Sequence, residues 1–138
     1  MAPSLFKPHP LLKNRHLQTI WRTLFSESQF VQPRFGRFEL NDGDFIDFAY
    51  TPPRAGPILL ILHGLEGSYS SPYAQGMLNA AKKRDWQGMV MHFRGCSGSI
   101  NRTLVGYHSG ETKDLAQFLE YLRNTNPSKP IYAVGFSL

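Results

Sequence analysis

The segment Gly135-Phe136-Ser137-Leu138 matches the first four positions of the pattern G-x-S-x-G. In that pattern a buried strand ends in a sharp turn that exposes a serine oxygen above the sheet. The preceding Pro130-Ile131-Tyr132-Ala133-Val134 is the short apolar run that such a strand needs. We expect that a side chain at position 135 would collide with a neighbouring strand or helix, which would explain the glycine there. Ser137 is therefore the candidate nucleophile, and the alternative is a serine that caps a following helix.

A second segment, His63-Gly64-Leu65-Glu66-Gly67-Ser68, could hold the charge that such a serine creates. Acyl-transfer sites stabilise an oxyanion with backbone N–H groups, one from the residue after the nucleophile and one from the loop after an earlier strand. Leu138 and Leu65 occupy those positions. We expect His63 to orient this loop and not to serve as the base, because it follows a buried strand directly. The alternative is a glycine-rich turn that forms no oxyanion hole.

Two more loops are expected at the same edge of the sheet. Phe93-Arg94-Gly95-Cys96-Ser97-Gly98-Ser99 has glycines for a tight turn, and we expect Arg94 to anchor it through hydrogen bonds to carbonyl oxygens. Cys96 is expected to be structural, since no helix N-terminus or paired histidine is evident near it to make it a nucleophile. His108, in Tyr107-His108-Ser109-Gly110-Glu111-Thr112, could line the mouth of the crevice or support the site from behind.

Neither a metal nor a cofactor is predicted. The 5 histidines lack the spacing of metal ligands, and a single cysteine supplies no zinc cluster. Gly64-Leu65-Glu66-Gly67 lacks the lysine of a phosphate-binding P-loop and the three glycines of a dinucleotide fingerprint. The candidate chemistry therefore depends on the side chains and backbone alone.

Hydrophobic patterning predicts the elements that position these residues. Two strands, near Phe35–Leu40 and Phe45–Tyr50, flank Asn41-Asp42-Gly43-Asp44, whose Asp-Gly pair favours a hairpin. After a proline-rich turn, the pattern alternates between buried strands and amphipathic helices. In chain order these are the strand Ile58–Leu62, a helix opened by Ser71-Pro72 with Tyr73, Met77, Leu78 and Ala81 facing inward, the strand Gly88–Phe93, a helix marked by Leu115, Phe118, Leu119 and Leu122, and the strand Ile131–Phe136.

This alternation predicts a parallel sheet with right-handed crossovers. If the last strand lies beside Ile58–Leu62, on the side away from Gly88–Phe93, the two crossovers run in opposite directions. Their helices then lie on opposite faces of the sheet. Ligands of open α/β sheets bind outside the carboxyl ends of the strands at such a point of reversal. Ser137 and the loop that begins at His63 would both emerge there.

The composition is that of a soluble globular chain of at most one ordinary domain, with 138 residues of which 41% are apolar and 18% charged. The net charge of +5 is spread along the chain, so we expect no nucleic-acid partner. The single cysteine excludes an internal disulfide and fits a reducing compartment. No hydrophobic leader is visible, and the longest apolar run is far below the roughly 20 residues that span a bilayer. A cytoplasmic location is therefore predicted.

Residues 1–33 are predicted to form an amino-terminal arm with an amphipathic helix, and residues 34–138 an incomplete domain. Within Arg15–Phe25, apolar residues recur at helical spacing, and basic residues lie near the polar side. Such a helix could contact a membrane surface; the alternative is that it packs on the domain or covers the active-site mouth. The apolar positions are Leu17, Ile20, Trp21, Leu24 and Phe25, and the basic ones are Lys13, Arg15 and Arg22.

These motifs occur together, in order, along nearly the whole chain. In combination they resemble the YheT-like branch of the α/β-hydrolase fold, which is similar to the plant embryogenesis-associated proteins and the lung α/β-hydrolase proteins. The segments that carry the resemblance are Leu12–Thr19, His63–Ser68, Ser71–Tyr73, Phe93–Gly98, Tyr107–Thr112 and Val134–Leu138.

The resemblance implies the amino-terminal part of an α/β-hydrolase fold, truncated at the nucleophile elbow: an antiparallel hairpin followed by a parallel β-α-β-α-β unit. It also implies a carboxylesterase that acts on short-chain or lipid esters by Ser-Asp-His chemistry, with Ser137 in the nucleophile's place. The acid and the histidine would lie beyond Leu138, so this chain by itself is expected to be inactive. Its last strand is expected to be an unpaired edge that favours association.

Other functions stay open at this point. The chain could be a truncated remnant without catalysis, or a binding module that uses the crevice or the basic amphipathic helix. The same fold could also perform acyl transfer or thioester hydrolysis, since a fold does not select a reaction.

Overall fold

The computed structural model describes residues 30–108, 110 and 112–137, which form a five-stranded mixed sheet with helices packed on it. The predicted helix Arg15–Phe25 lies outside these residues, so the domain boundary near residue 33 stays a prediction. Within the described part of the chain, no helix is long and apolar enough to cross a bilayer. The strands are β1 (Arg34–Glu39), β2 (Phe45–Tyr50), β3 (Ile58–Leu62), β4 (Gln87–Met91) and β5 (Ile131–Gly135), and the helices are α1 (Pro72–Lys83) and α2 (Lys113–Thr125).

β1 and β2 form the predicted antiparallel hairpin, in which Glu39 pairs with Phe45. The Leu40 N–H donates to the Asp44 carbonyl oxygen at 2.8 Å, and Gly43 has a φ of 82°. Residues with side chains rarely adopt that φ, so the glycine of the Asp-Gly pair permits this turn. β1 begins and ends one residue earlier than predicted, because Leu40 is buried in the turn and not in the ladder.

The strand order is β1-β2-β4-β3-β5. β3 pairs in parallel with β4 on one side and with β5 on the other, whereas β2 is antiparallel to β4. The predicted place of the last strand, beside β3 and away from β4, is therefore confirmed. Leu62 pairs with both Met91 and Gly135, so the carboxyl ends of these strands are level with one another. The loops that follow them meet at one edge of the sheet.

The two faces of the sheet carry separate apolar clusters, because successive residues of a strand point to opposite sides. α1 packs on one face, where Leu78 is fully buried in a cluster with Ile61. α2 packs on the other face, where Phe118 is fully buried in a cluster with Leu60. Burial of each side chain of this size contributes roughly 1.5–3 kcal/mol. The helices lie on opposite faces, as the predicted reversal of the crossovers requires.

The start of α1 agrees with the prediction in position but not in hydrogen bonding. Ser71 is the N-cap residue, yet its side chain does not cap the helix. The Ser71 Oγ instead accepts a hydrogen bond from the Ser68 N–H at 3.0 Å, within the loop that leads to the helix. Gln75 is buried, although the hydrophobic pattern of the helix did not predict that it faces inward. Its side-chain oxygen accepts a hydrogen bond from the Val31 N–H at 2.7 Å. Tyr73, predicted to face inward, is half-buried.

β4 and β5 both end before their predicted last residues, Phe93 and Phe136. Phe93 is buried although it lies beyond the ladder, which explains why its apolar character suggested a longer strand. His92 and Phe93 therefore belong to the loop after β4, and Phe136 belongs to the turn after β5.

Candidate active site

Ser137 lies on an exposed turn directly after β5. Its φ is 40°, in the left-handed region that residues with side chains rarely adopt. Such a conformation costs on the order of 1–3 kcal/mol, and it is found most often at functional sites, where the surrounding structure imposes it. The G-x-S pattern predicts a strained turn at this place, directly after a strand.

The loop after β3 is in contact with this turn. A Cβ atom at Gly64 would lie 2.7 Å from the Phe136 carbonyl oxygen and 3.3 Å from Ser137 Cβ, so only glycine fits there. By contrast, a Cβ atom at Gly135 would meet no described atom within 4 Å. The predicted collision at Gly135 is therefore wrong for the described residues, and the crowded glycine belongs to the loop of the neighbouring strand.

Hydrogen bonds hold the peptide group that joins Gly64 to Leu65. The Gly64 carbonyl oxygen accepts from the Gly67 N–H at 2.9 Å and lies 2.8 Å from Nδ1 of His63. In a planar trans peptide the N–H points opposite to the C=O. These bonds therefore also set the direction of the Leu65 N–H. Leu65 as a whole is 76% exposed.

The hydrogen bonds of His63 determine which of its nitrogens carries the proton. Nε2 lies 3.2 Å from the Phe93 N–H, which can only donate, so Nε2 accepts and Nδ1 carries the proton. Nδ1 then donates to the Gly64 carbonyl oxygen. Burial lowers the pKa of His63, although the bond to Gly64 acts in the opposite sense. The neutral ring thus ties the end of β4 to the loop after β3.

A second buried histidine lies beside it. Nε2 of His92 accepts from the Tyr69 N–H at 3.1 Å, and its Nδ1 is buried without a hydrogen-bond partner among the described residues. Burial, followed by the repulsion that a protonated His63 would exert, lowers the pKa of His92 to about 4. This ring is therefore neutral at physiological pH.

Arg94 is buried, and it binds carboxylates where carbonyl oxygens were predicted. Its Nε and Nη2 donate to the two oxygens of Asp114, each at 2.7 Å. Its Nη1 donates to Asp42 at 2.7 Å and to Asp44 at 3.2 Å. The bond to Asp114 is the main reason that the pKa of Arg94 is raised. One guanidinium thus joins the hairpin turn, the loop after β4 and the first turn of α2.

Asp44 is fully buried in this charge cluster. Burial by itself would raise the pKa of Asp44, but the hydrogen bonds that it accepts outweigh this effect and hold the pKa well below its usual range. The donors are the Thr103 hydroxyl at 2.6 Å, the Asn101 amide at 2.8 Å and the backbone N–H groups of Phe45 and Arg102 at 2.9 and 3.0 Å. The loop after β4 is therefore wrapped around one ionised carboxylate.

Two further residues that the sequence singled out, Cys96 and His108, also lie in this region. Burial raises the pKa of the Cys96 thiol, away from the reactive thiolate form. His108 is exposed, and its Nδ1 accepts from the Gly110 N–H at 3.2 Å. A role for His108 at the crevice stays a prediction. Leu138, the other predicted oxyanion donor, lies outside the described residues.

A cavity of about 680 Å³ opens beside the cluster of loops, between the hairpin and the loop after β4. Arg37, Asp47 and Ser97 line it, and Ser137 does not. In the described ranges, no three His, Cys, Asp or Glu side chains are grouped so that they could hold a metal ion.

The sequence profile of the α/β hydrolase fold matches residues 57–138, more than half of the chain. The chain belongs to the α/β-hydrolase family. Within this family it is YheT-like: it is 49% identical to YheT of Escherichia coli (strain K12) over 137 residues, which cover 96% of this chain and 40% of YheT. It is also 29% identical to the embryogenesis-associated protein EMB8 of Picea glauca over 145 residues, which cover 96% of this chain and 32% of EMB8.

The solved α/β-hydrolase structures agree with this fold. A soluble variant of the monoglyceride lipase of Saccharomyces cerevisiae, in complex with a substrate analogue, superposes with a TM-score of 0.61 at 15% identity. The match covers 82% of this chain and 38% of the lipase. This chain thus spans about two fifths of the length of YheT and of the lipase.

Sequence reasoning missed the partners that hold the loops of this α/β-hydrolase. Asp44 was assigned only to a hairpin turn, and Asp114 was not singled out. Tyr73 was assigned only to the inward face of a helix, although its hydroxyl binds the loop after β3. No local pattern marks these residues, because each acts on a segment that is remote in sequence.

Replacement of Arg94 by methionine is expected to destabilise the fold strongly. The carboxylates of Asp44 and Asp114 would then lose the buried countercharge of Arg94, which costs about 3–5 kcal/mol in the free energy of unfolding. Urea unfolding measures this loss. Arg102→Met is the matched control, because Arg102 pairs with Glu39 at the exposed surface. A loss for Arg94→Met no larger than for Arg102→Met would contradict the prediction.

Acidification is expected to destabilise the protein through His92. Its folded-state pKa of about 4 lies below the ordinary histidine pKa of 6.5, so the unfolded state binds the proton first. Stability that is complete above about pH 6.5 is then lost as the pH falls towards 4, by on the order of 3 kcal/mol. Urea midpoints across this range should fall less steeply for His92→Phe, whatever its stability at neutral pH. Parallel pH profiles would count against this account.

Proposed function

We propose that this chain carries the nucleophile and the oxyanion loop of a carboxylic ester hydrolase. The observation that supports this best is the contact between Gly64 and the left-handed turn at Ser137. It places an exposed serine next to the loop in which neighbouring hydrogen bonds orient the Leu65 N–H. Membership of the α/β-hydrolase family supports the same chemistry.

In the proposed reaction, Ser137 Oγ attacks the carbonyl carbon of an ester while its proton passes to a histidine base. The carbonyl electrons move to oxygen, and the N–H groups of Leu65 and Leu138 donate hydrogen bonds to the resulting oxyanion. Collapse of this intermediate breaks the bond to the alcohol, which leaves with the proton from the base. Water then attacks the acyl-enzyme by the same route and restores the serine hydroxyl.

The base and the acid are proposed to lie beyond Leu138. His63 uses both ring nitrogens to hold backbone groups, and His92 is buried with Nε2 bound to a backbone N–H. Neither ring can take a proton from Ser137 without losing those bonds. Because a serine hydroxyl without a base is a weak nucleophile at neutral pH, the 138-residue chain alone would have no esterase activity.

The proposed substrates are short-chain or lipid esters. Monoglycerides are lipid esters, and a monoglyceride lipase shares this fold. A cytoplasmic location belongs to the same proposal, as does a membrane-surface contact through Arg15–Phe25, the predicted helix outside the described residues.

Ser137→Ala in the full-length protein is expected to abolish hydrolysis of a short-chain p-nitrophenyl ester. Loss of the nucleophile in a serine triad lowers turnover by about 10⁶-fold. The measurement is the initial rate of p-nitrophenol release. Ser128→Ala is the matched control, because Ser128 is exposed in the turn before β5, at the opposite edge of the sheet.

Two results would contradict the proposal. One is a Ser137→Ala protein that keeps the rate of the Ser128→Ala control. The other is esterase activity, in the same assay, of the 138-residue chain by itself, which would place the base within this chain.

A further inference from the structure

We propose that Tyr73 is a positioning residue that joins the oxyanion loop to the nucleophile turn. The proposal rests on the function proposed above and deepens it, since it concerns the same site. Tyr73 lies in the first turn of α1, directly after Pro72. Its side chain contacts both of the segments that must converge for catalysis.

The hydroxyl of Tyr73 accepts a hydrogen bond from the Gly64 N–H at 3.1 Å. Gly64 is buried in the loop after β3, where a backbone N–H needs a partner within the protein. Loss of the hydroxyl would therefore leave a buried donor unpaired, and the loop would have to move to satisfy it.

The loop folds closely around this hydroxyl. A Cβ atom at Gly67 would overlap the Tyr73 oxygen, so position 67 must be glycine while Tyr73 is in place. The Gly67 N–H closes the turn by donating to the Gly64 carbonyl oxygen at 2.9 Å. The tyrosine oxygen thus lies against both ends of the turn that contains Leu65.

The ring of Tyr73 packs on the other segment. Its centroid lies 4.6 Å from that of Phe136, with the planes inclined at 33°. Phe136 immediately precedes Ser137, and its N–H donates to the Leu62 carbonyl oxygen at 3.1 Å. One side chain therefore fixes the distance between the loop after β3 and the turn after β5.

Together, Tyr73 and His63 hold the two sides of Gly64. Tyr73 holds the N–H of this residue, and His63 binds its carbonyl oxygen, which shares a peptide plane with the Leu65 N–H. A small rotation of that plane would turn the Leu65 N–H away from the oxyanion. Such an error affects the transition state more than substrate binding, because the full charge on oxygen develops only there.

The test is Tyr73→Phe in the full-length protein, with Tyr69→Phe as the matched control. Phenylalanine keeps the ring contact with Phe136 and removes only the hydroxyl. Tyr69 lies in the loop before the same helix, and its hydroxyl makes no hydrogen bond to a described residue. For Tyr73→Phe we expect kcat for a p-nitrophenyl ester to fall by about 10-fold to 100-fold with KM nearly unchanged. Tyr69→Phe should keep the kcat of the unsubstituted protein.

A second readout separates positioning from a merely structural role. A trifluoromethyl ketone forms a charged tetrahedral adduct with the serine, so Tyr73→Phe should weaken its inhibition by the same factor as kcat. Titration with a fluorophosphonate counts the competent sites, so that kcat refers to folded protein only. If Tyr73→Phe yields no competent sites, Phe136→Leu provides a second test from the other segment, since it loosens the ring contact with Tyr73 and should also lower kcat with KM nearly unchanged.

Unchanged kcat and inhibitor affinity per competent site in Tyr73→Phe would overturn the inference, as would equal losses in Tyr69→Phe. Failure of the proposed function has a different signature. Activity that survives Ser137→Ala would remove the nucleophile assignment itself, whereas an inactive Ser137→Ala beside a fully active Tyr73→Phe would remove only the role of Tyr73.

Discussion

The level, parallel alignment of β3 with β5 is the constraint on which the candidate site depends. Because Leu62 pairs with Gly135, the turns after the two strands begin at the same height. A slip of one residue would move the Ser137 turn by about 3.3 Å and reverse the faces of the β5 side chains. β3 resists such a slip, because it lies between two parallel neighbours and buries apolar side chains on both faces. The contact between Gly64 and the serine turn follows from this register.

A different force positions the loop after β4, which lies at the same edge of the sheet. Apolar burial supplies most of the stability of the two helix-covered faces, but it does not direct an exposed loop. The cluster around Arg94 does so by charge, since any other position of the loop after β4 would separate the buried carboxylates of Asp44 and Asp114 from the Arg94 guanidinium. That penalty is several kcal/mol, although an intact buried ion pair adds little net stability over an apolar core. The site therefore combines a hydrogen-bonded sheet register with an electrostatic anchor.

The sequence was sufficient to predict the elements and their order, but not the polar contacts between them. Ile58–Leu62 is uniformly apolar, and the strand has those bounds; strand ends were less certain where a buried residue such as Leu40 continues the pattern into a loop. Arg94 was expected to bind carbonyl oxygens, yet its main partner, Asp114, lies 20 residues away. In the helical pattern Tyr73 counts as one more inward residue. Periodicity reports burial, and it carries no information about which hydroxyl meets which amide.

The left-handed backbone at Ser137 has one more consequence. Glycine adopts such a conformation without steric penalty, so a glycine at this position would suit the folded backbone better than the serine does. The residue that would make this turn most stable, glycine, is thus not the residue that supplies a hydroxyl, serine. A search for thermostable variants guided by folding energy alone would discard the serine that is the proposed nucleophile.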